Sequence, residues 1–211
     1  KKAGIEFEVN ADDGYRAFWD WYESDAWEPE TVAVFERFLR PGTRYVDLGA
    51  WIGPTVLLAA PSVARVVCVE PDPVAYAALT GNLSLNAGAA AKTAAFQVAA
   101  GPLDGTVTLT SEGEGGSSKS SVARSGDTGE RWLVEQVGVG TLLERASLDA
   151  PDFVKIDIEG AEYRLVPALC AELAEVSGST TAQANANRVT VALEQRYQVK
   201  DRKSVVKGKS V

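Results

Sequence analysis

The sequence predicts an α/β fold, a doubly wound, mostly parallel sheet with helices on both faces. Three observations carry this expectation. Short apolar runs alternate with helical periodicities; one run ends in a glycine-bearing turn that opens at once into a helix; and a later apolar strand carries Lys155, Asp157 and Glu159. The 211 residues are 45% hydrophobic and 24% charged, enough for one ordinary domain with a buried core.

Residues 7–27 are rich in aromatics (Tyr15, Phe18, Trp19, Trp21, Tyr22, Trp27), which either line a ligand site or pack the edge of the domain. Pro29 and Thr31 open a helix with Val32, Phe35 and Leu39 at i, i+3 and i+7, and Pro41-Gly42 stops it. The runs 44–48 and 65–69, joined by the turn and a short helix over 54–60, form a βαβ unit. Asp72 and Pro73 supply an N-cap and a first helical residue, and Val74, Ala77, Ala78, Gly81 and Leu85 predict the buried stripe of a second crossover helix.

A third strand is expected over 94–100, a fourth over 106–110, then a Gly/Ser-rich loop over 111–129 and a short strand at 137–139. Residues 153–158 read as a buried strand. Leu165, Leu169, Leu173 and Val176 mark a helix interrupted by Pro167, residues 177–187 a polar connection and residues 189–193 one more strand.

The formal net charge of −8, with no basic face interleaved with aromatics, argues against nucleic acid as a partner. No apolar run approaches the roughly 18 residues of a membrane span, and the two cysteines, Cys68 and Cys170, read as buried free thiols of a cytoplasmic protein. With no histidine, histidine-activated nucleophiles are excluded, and no G-x-S-x-G elbow occurs. The chain has no methionine, which reads as a fragment, and residues 200–211 (KDRKSVVKGKSV) read as a non-native tail. The expected organisation is an aromatic-rich segment and helix over 1–40, the main domain over 41–199 and the tail.

The turn Asp47-Leu48-Gly49-Ala50-Trp51-Ile52-Gly53 delivers the carboxyl end of a strand to a helix start, where free N–H groups are expected to point outward and the glycines to let backbone approach a ligand. Glu70, ending the next strand, is placed to accept hydrogen bonds from ribose hydroxyls. The G-x-x-x-G spacing departs from the G-x-G-x-x-G of dinucleotide sites, and Asp47 beside the turn suits a sulfonium or ammonium group better than a pyrophosphate. An NAD-dependent oxidoreductase therefore stays a remote alternative.

On the later strand, period-two geometry puts Lys155, Asp157 and Glu159 on one face, where they form either an ion-paired network or the reacting end of a ligand cleft. Glu194, ending the last strand, borders the same cleft if the strands of Asp47 and Asp157 are neighbours across the switch in strand order. A carboxylate there can take the proton of a hydroxyl acceptor. The trio Asp157, Glu159 and Glu194 could alternatively hold a divalent metal, although no ligand-spacing motif supports one, and no metal is assigned.

Taken together, DLGAWIG at 47–53, Glu70-Pro71 and KIDIEGAE at 155–162 resemble the FkbM-like methyltransferases, whose usual patterns are D-[VL]-G-A-N-x-G, E-P and K-[IV]-D-[VI]-E-G-x-E. The resemblance covers roughly residues 28–195. It implies a Rossmann-like methyltransferase fold, here lacking its last two strands, that binds S-adenosylmethionine and methylates a hydroxyl oxygen of a small molecule such as a sugar or polyketide. It implies cofactor contacts from Asp47, Gly49, Ala50, Trp51, Gly53 and Glu70, and a methyl-transfer end formed by Lys155, Asp157, Glu159 and Glu194, with Lys155 paired to a carboxylate. Trp51 and Pro54 depart from the pattern: an indole stands where the family usually has Asn, and a proline removes one N–H from the helix start. A non-catalytic module of the same fold is the alternative these departures leave open.

Overall fold

The computed structural model describes residues 1–11, 14–24, 26–111, 115–117, 130–158, 161–177 and 190–193. Two helices, α1 (Arg16–Glu23) and α2 (Pro29–Phe38), precede strand β1 (Arg44–Leu48). The turn leads into α3 (Pro54–Ala59), a single 3-10 turn, then β2 (Arg65–Val69), α4 (Pro73–Ser84), α5 (Ala87–Ala90) and β3 (Thr93–Phe96). Next come β4 (Ala99–Ala100), β5 (Gly105–Thr110), β6 (Arg131–Val137), α6 (Val139–Arg145), β7 (Phe153–Ile156), α7 (Glu162–Ser177) and β8 (Thr190–Leu193).

The main sheet has the order β3-β2-β1-β7-β8 with every neighbouring pair parallel. The chain winds outward from β1 through β2 and β3, then returns to place β7 on the other side of β1. The strand order therefore reverses between β1 and β7, the place where open α/β sheets form their ligand crevice. Alternation along the strands sorts side chains onto two cores. Tyr45, Val66, Cys68 and Phe153 pack under the aromatics of α1 and α2 and the apolar face of α3. Val46, Leu48, Val67, Val154 and Ile156 pack under α6 and α7. The helices do cover both faces, as the sequence predicts.

Several elements differ from expectation. The single strand expected over 94–100 is two: β3 pairs with β2, whereas β4 leaves the main sheet and pairs with β6 in a second sheet of order β4-β6-β5. The strand expected at 137–139 is the end of β6, antiparallel to β5, followed directly by α6. Leu133 is 78% exposed in β6, so its apolar residues do not announce a buried strand, and α6 is preceded by Gly138, which offers no side-chain cap. Strand β7 ends at Ile156 rather than 158, although Asp157 N still donates to Leu48 O at 2.8 Å.

Asp72 caps α4 as predicted, its Oδ1 accepting from Val74 N and Ala75 N. The buried face of α4 is instead Ala75, Leu79, Asn82 and Leu83, with Val74 and Leu85 exposed. The helix is apolar nearly all round, so periodicity alone could not orient it; the decisive inward residue is polar. Asn82 Nδ2 donates to Ile52 O at 2.9 Å, and its Oδ1 accepts from Asn10 N at 2.8 Å. Helix α7 runs through Pro167 and buries Leu165 and Leu169, while Cys170, one residue further round, is exposed and not buried as expected. Among the described residues no helix is long and apolar enough to cross a membrane.

Candidate functional site

The candidate site lies at the carboxyl ends of β1, β2 and β7, where the strand order reverses. Asp47 lies opposite Lys155 in the β1–β7 pairing, on the same face of the sheet as Tyr45. Its carboxylate is fully buried: Oδ2 accepts from Tyr45 Oη at 2.8 Å and from Thr55 Oγ1 at 2.6 Å, and Oδ1, which accepts no hydrogen bond from the described residues, faces Lys155 Nζ at 3.6 Å. Burial, reinforced by the Asp47 charge, pushes the Tyr45 hydroxyl far above its usual range, so it acts only as a neutral donor. Lys155 Nζ is also 3.4 Å from Asp157 Oδ2. The ammonium thus bridges a buried carboxylate and a partly exposed one, whose side chain is 18% accessible. The ion-paired network, one of the two alternatives for this face, is present among Asp47, Lys155 and Asp157, on an interior strand of the sheet.

The glycines act differently from expectation. Gly49 has φ +90, and a Cβ there would lie 1.8 Å from the Asp157 carbonyl oxygen; Gly53 has φ +92, and a Cβ there would lie 2.7 Å from Leu79 Cδ1. The close approaches are to the chain itself. The turn's N–H groups are likewise turned inward: Gly49 N and Ala50 N donate to Val69 O, Trp51 N to Glu70 Oε2 and Gly53 N to Ala50 O. The expected outward-pointing anion cradle is not formed by these four groups, because β1 and β2 need them to close the turn against the sheet.

Glu70 accepts from Trp51 N at 2.8 Å and from Asp72 N at 2.9 Å, one bond to each carboxylate oxygen. Its carboxyl is pushed up to about 7: burial raises it most, these two backbone N–H groups oppose that, and the nearby Asp72 and Asp47 charges add to it. Each oxygen keeps a second lone pair for a hydroxyl donor. Ala50 is buried.

Trp51 takes a left-handed backbone at φ +50, a conformation that asparagine tolerates and that costs a bulky residue roughly 1–2 kcal/mol. Its ring stands edge-on to Phe18 at 4.5 Å and to Tyr15 at 5.7 Å, and its Nε1 donates to Gly116 O at 2.8 Å. The aromatic segment thus packs the domain and also borders the crevice.

Glu159 and Glu194 lie outside the described residues. Among those described, no group of three or more His, Cys, Asp or Glu side chains is placed to hold a metal ion. Sequence reasoning missed Tyr45, Thr55, Gly116 and Glu162. Tyr45 was findable as the same-face neighbour of Asp47 two residues back. Glu162 belongs to the KIDIEGAE run and accepts from Ile158 N at 3.1 Å, fastening the end of β7 to the start of α7. Gly116 sits in a composition-biased stretch with no signal of its own.

Comparison with known proteins adds the family. The Methyltransferase FkbM domain model matches residues 47–193, a span running from the Asp47 turn through β8. The chain belongs to this family. None of the curated proteins matches it. Among solved structures, an FkbM methyltransferase from Methylobacillus flagellatus is 19% identical with a TM-score of 0.43, covering 70% of this chain and 37% of that one. A precorrin 8w decarboxylase from Methanobacterium thermoautotrophicum is 20% identical with a TM-score of 0.30, covering 33% of this chain and 38% of the other. The FkbM-family chain here therefore spans well under half the length of the FkbM methyltransferase it matches.

Proposed function

We propose that this FkbM-family domain transfers a methyl group from S-adenosylmethionine to a hydroxyl oxygen of a small molecule such as a sugar or polyketide. The observation that supports this most is the charge row Asp47–Lys155–Asp157 at the reversal of strand order, with Glu70 just past the end of the neighbouring strand. The row offers negative charge to a sulfonium and a carboxylate to the acceptor, while the engaged turn amides argue against a dinucleotide.

When bound, the cofactor supplies an electrophilic methyl on positively charged sulfur. Glu70 would hold the ribose hydroxyls. Asp47 stays buried and anchors the turn through Tyr45 and Thr55, and Lys155 positions Asp157. Asp157 would take the proton of the acceptor hydroxyl, with Glu159 and Glu194 as further candidates for that role.

Isothermal titration with S-adenosylmethionine tests the cofactor, and the expected result is saturable one-site binding. No heat at millimolar cofactor would sink the reading. Turnover on a panel of hydroxylated acceptors, lowered roughly 100-fold or more by Asp157→Asn, tests the base. A second reading, a module that binds the cofactor without turning it over, draws on the indole of Trp51 at the crevice. Binding without turnover on any acceptor, in this chain and in Trp51→Asn alike, would favour it.

A further inference from the structure

Residues 115–117 bridge the two turns that border the ribose side of the crevice. Gly116 N donates to Asp72 Oδ2 at 2.9 Å, just past the end of β2, and Gly116 O accepts from Trp51 Nε1 at 2.8 Å and Tyr15 Oη at 3.3 Å, beside the end of β1. The approach is close, and at Gly116 the left-handed backbone itself favours glycine. A Cβ on Gly116, at φ +87, would lie 2.3 Å from Tyr15 Oη, and one on Gly115 would lie 2.7 Å from Val74 Cγ2 and 2.9 Å from Trp132 Cη2. Trp51 meanwhile keeps a left-handed backbone that its side chain disfavours. In that conformation its main-chain N–H reaches Glu70 while its indole N–H reaches Gly116. Strain held by two specific hydrogen bonds at a ligand crevice is the kind of outlier from which function can be inferred.

We propose that Trp51 is the latch of the cofactor site. Its indole N–H, bonded to the Gly116 carbonyl, ties residues 115–117 across the gap between the Asp47 turn and Asp72, and release of this bond controls entry and escape of the nucleoside end of the ligand. The proposal rests on the S-adenosylmethionine reading above. Trp51 is thus a positioning residue for exchange: it sets how long the ligand stays and does not touch the transferred methyl. Because the same residue donates its backbone N–H to Glu70, movement of the latch also reaches the carboxylate assigned to the ribose.

The test is stopped-flow dissociation of S-adenosylmethionine from the parent chain, Trp51→Phe and Tyr15→Phe, alongside hydrogen exchange of the Gly116 amide in the ligand-free proteins. Trp51→Phe keeps a ring against Phe18 and removes the donor; Tyr15→Phe removes only the longer of the two bonds to Gly116 O. The expected result is dissociation about tenfold faster in Trp51→Phe and about twofold faster in Tyr15→Phe, with Gly116 exchange accelerated in the same order. Parent-like dissociation and exchange in both variants would overturn the latch while leaving the cofactor reading intact. A parent chain that binds no S-adenosylmethionine overturns the cofactor reading and the exchange role together. Should Trp51→Phe fail to fold, judged by near-ultraviolet circular dichroism, Tyr15→Phe decides by the same two measurements.

Discussion

Lys155 lies directly across the β1–β7 pairing from Asp47, its ammonium 3.6 Å from Asp47 Oδ1 and both groups almost wholly buried. Removing one member of such a pair leaves the other's charge uncompensated away from water. Lys155→Met is expected to destabilise the chain by about 3 kcal/mol in urea unfolding. The double variant Asp47→Asn/Lys155→Met is expected to recover part of that loss. Equal stability of parent and Lys155→Met would show that the charges do not depend on each other.

Glu70 gives the fold a pH dependence of definite sign. Its folded carboxyl titrates at about 7 against an ordinary value of 4.5, so between those two pH values the folded state holds a proton that the unfolded state has released. This contribution to stability therefore falls as pH rises from 4.5 to 7, by roughly 3 kcal/mol in total at ~1.4 kcal/mol per pH unit. Glu70→Gln should abolish this slope. The check is the difference between parent and variant in denaturant midpoints across that range; parallel curves would contradict it.

Gly49 and Gly53 separate two kinds of glycine. A side chain on Gly49 meets the backbone carbonyl of Asp157 at 1.8 Å, whereas on Gly53 it meets the end of the Leu79 side chain at 2.7 Å. Both positions have positive φ, but only the second neighbour can rotate aside. Gly49→Ala is expected to cost about 4 kcal/mol or more, lowering the melting temperature by ~10 °C, and Gly53→Ala about half of that. A melting curve for each variant decides the order.

Asn82 fastens three segments at once: α4, the Asp47 turn through Ile52 O, and the N-terminal stretch through Asn10 N. Asn82→Ala takes a buried donor from one carbonyl and an acceptor from one amide, at a cost of about 3 kcal/mol. Amide exchange at Asn10 should accelerate as well. An unchanged Asn10 would mean that the N-terminal segment is held without Asn82, through contacts such as the pair of bonds between Glu8 and Asn86.

Legibility in the sequence followed the strength of local signals. The βαβ unit, the Asp72 cap and the strand carrying Lys155 were legible because strand runs, proline, a capping carboxylate and glycine act within a few residues. Strand β6 and helix α6 were not: one carries an exposed Leu133, the other lacks a side-chain cap, and both are held by packing against distant segments. The face of α4 was misread because an alanine-rich helix offers no polar stripe, and its buried side is marked by Asn82.

The sequence by itself determined the fold class and, through KIDIEGAE and the Asp47 turn, the family resemblance, because each motif is contiguous. It also determined that charged groups gather at the ends of the strands. Only the tertiary structure decided how they pair. The register of β1 against β7 brings Lys155 between Asp47 and Asp157, and the return of residues 115–117 brings Gly116 to Trp51 across 65 positions of chain. It also decided that the turn's N–H groups and glycines serve the chain itself, since whether a backbone group faces a ligand or a neighbouring strand depends on what packs beside it, which no local pattern records.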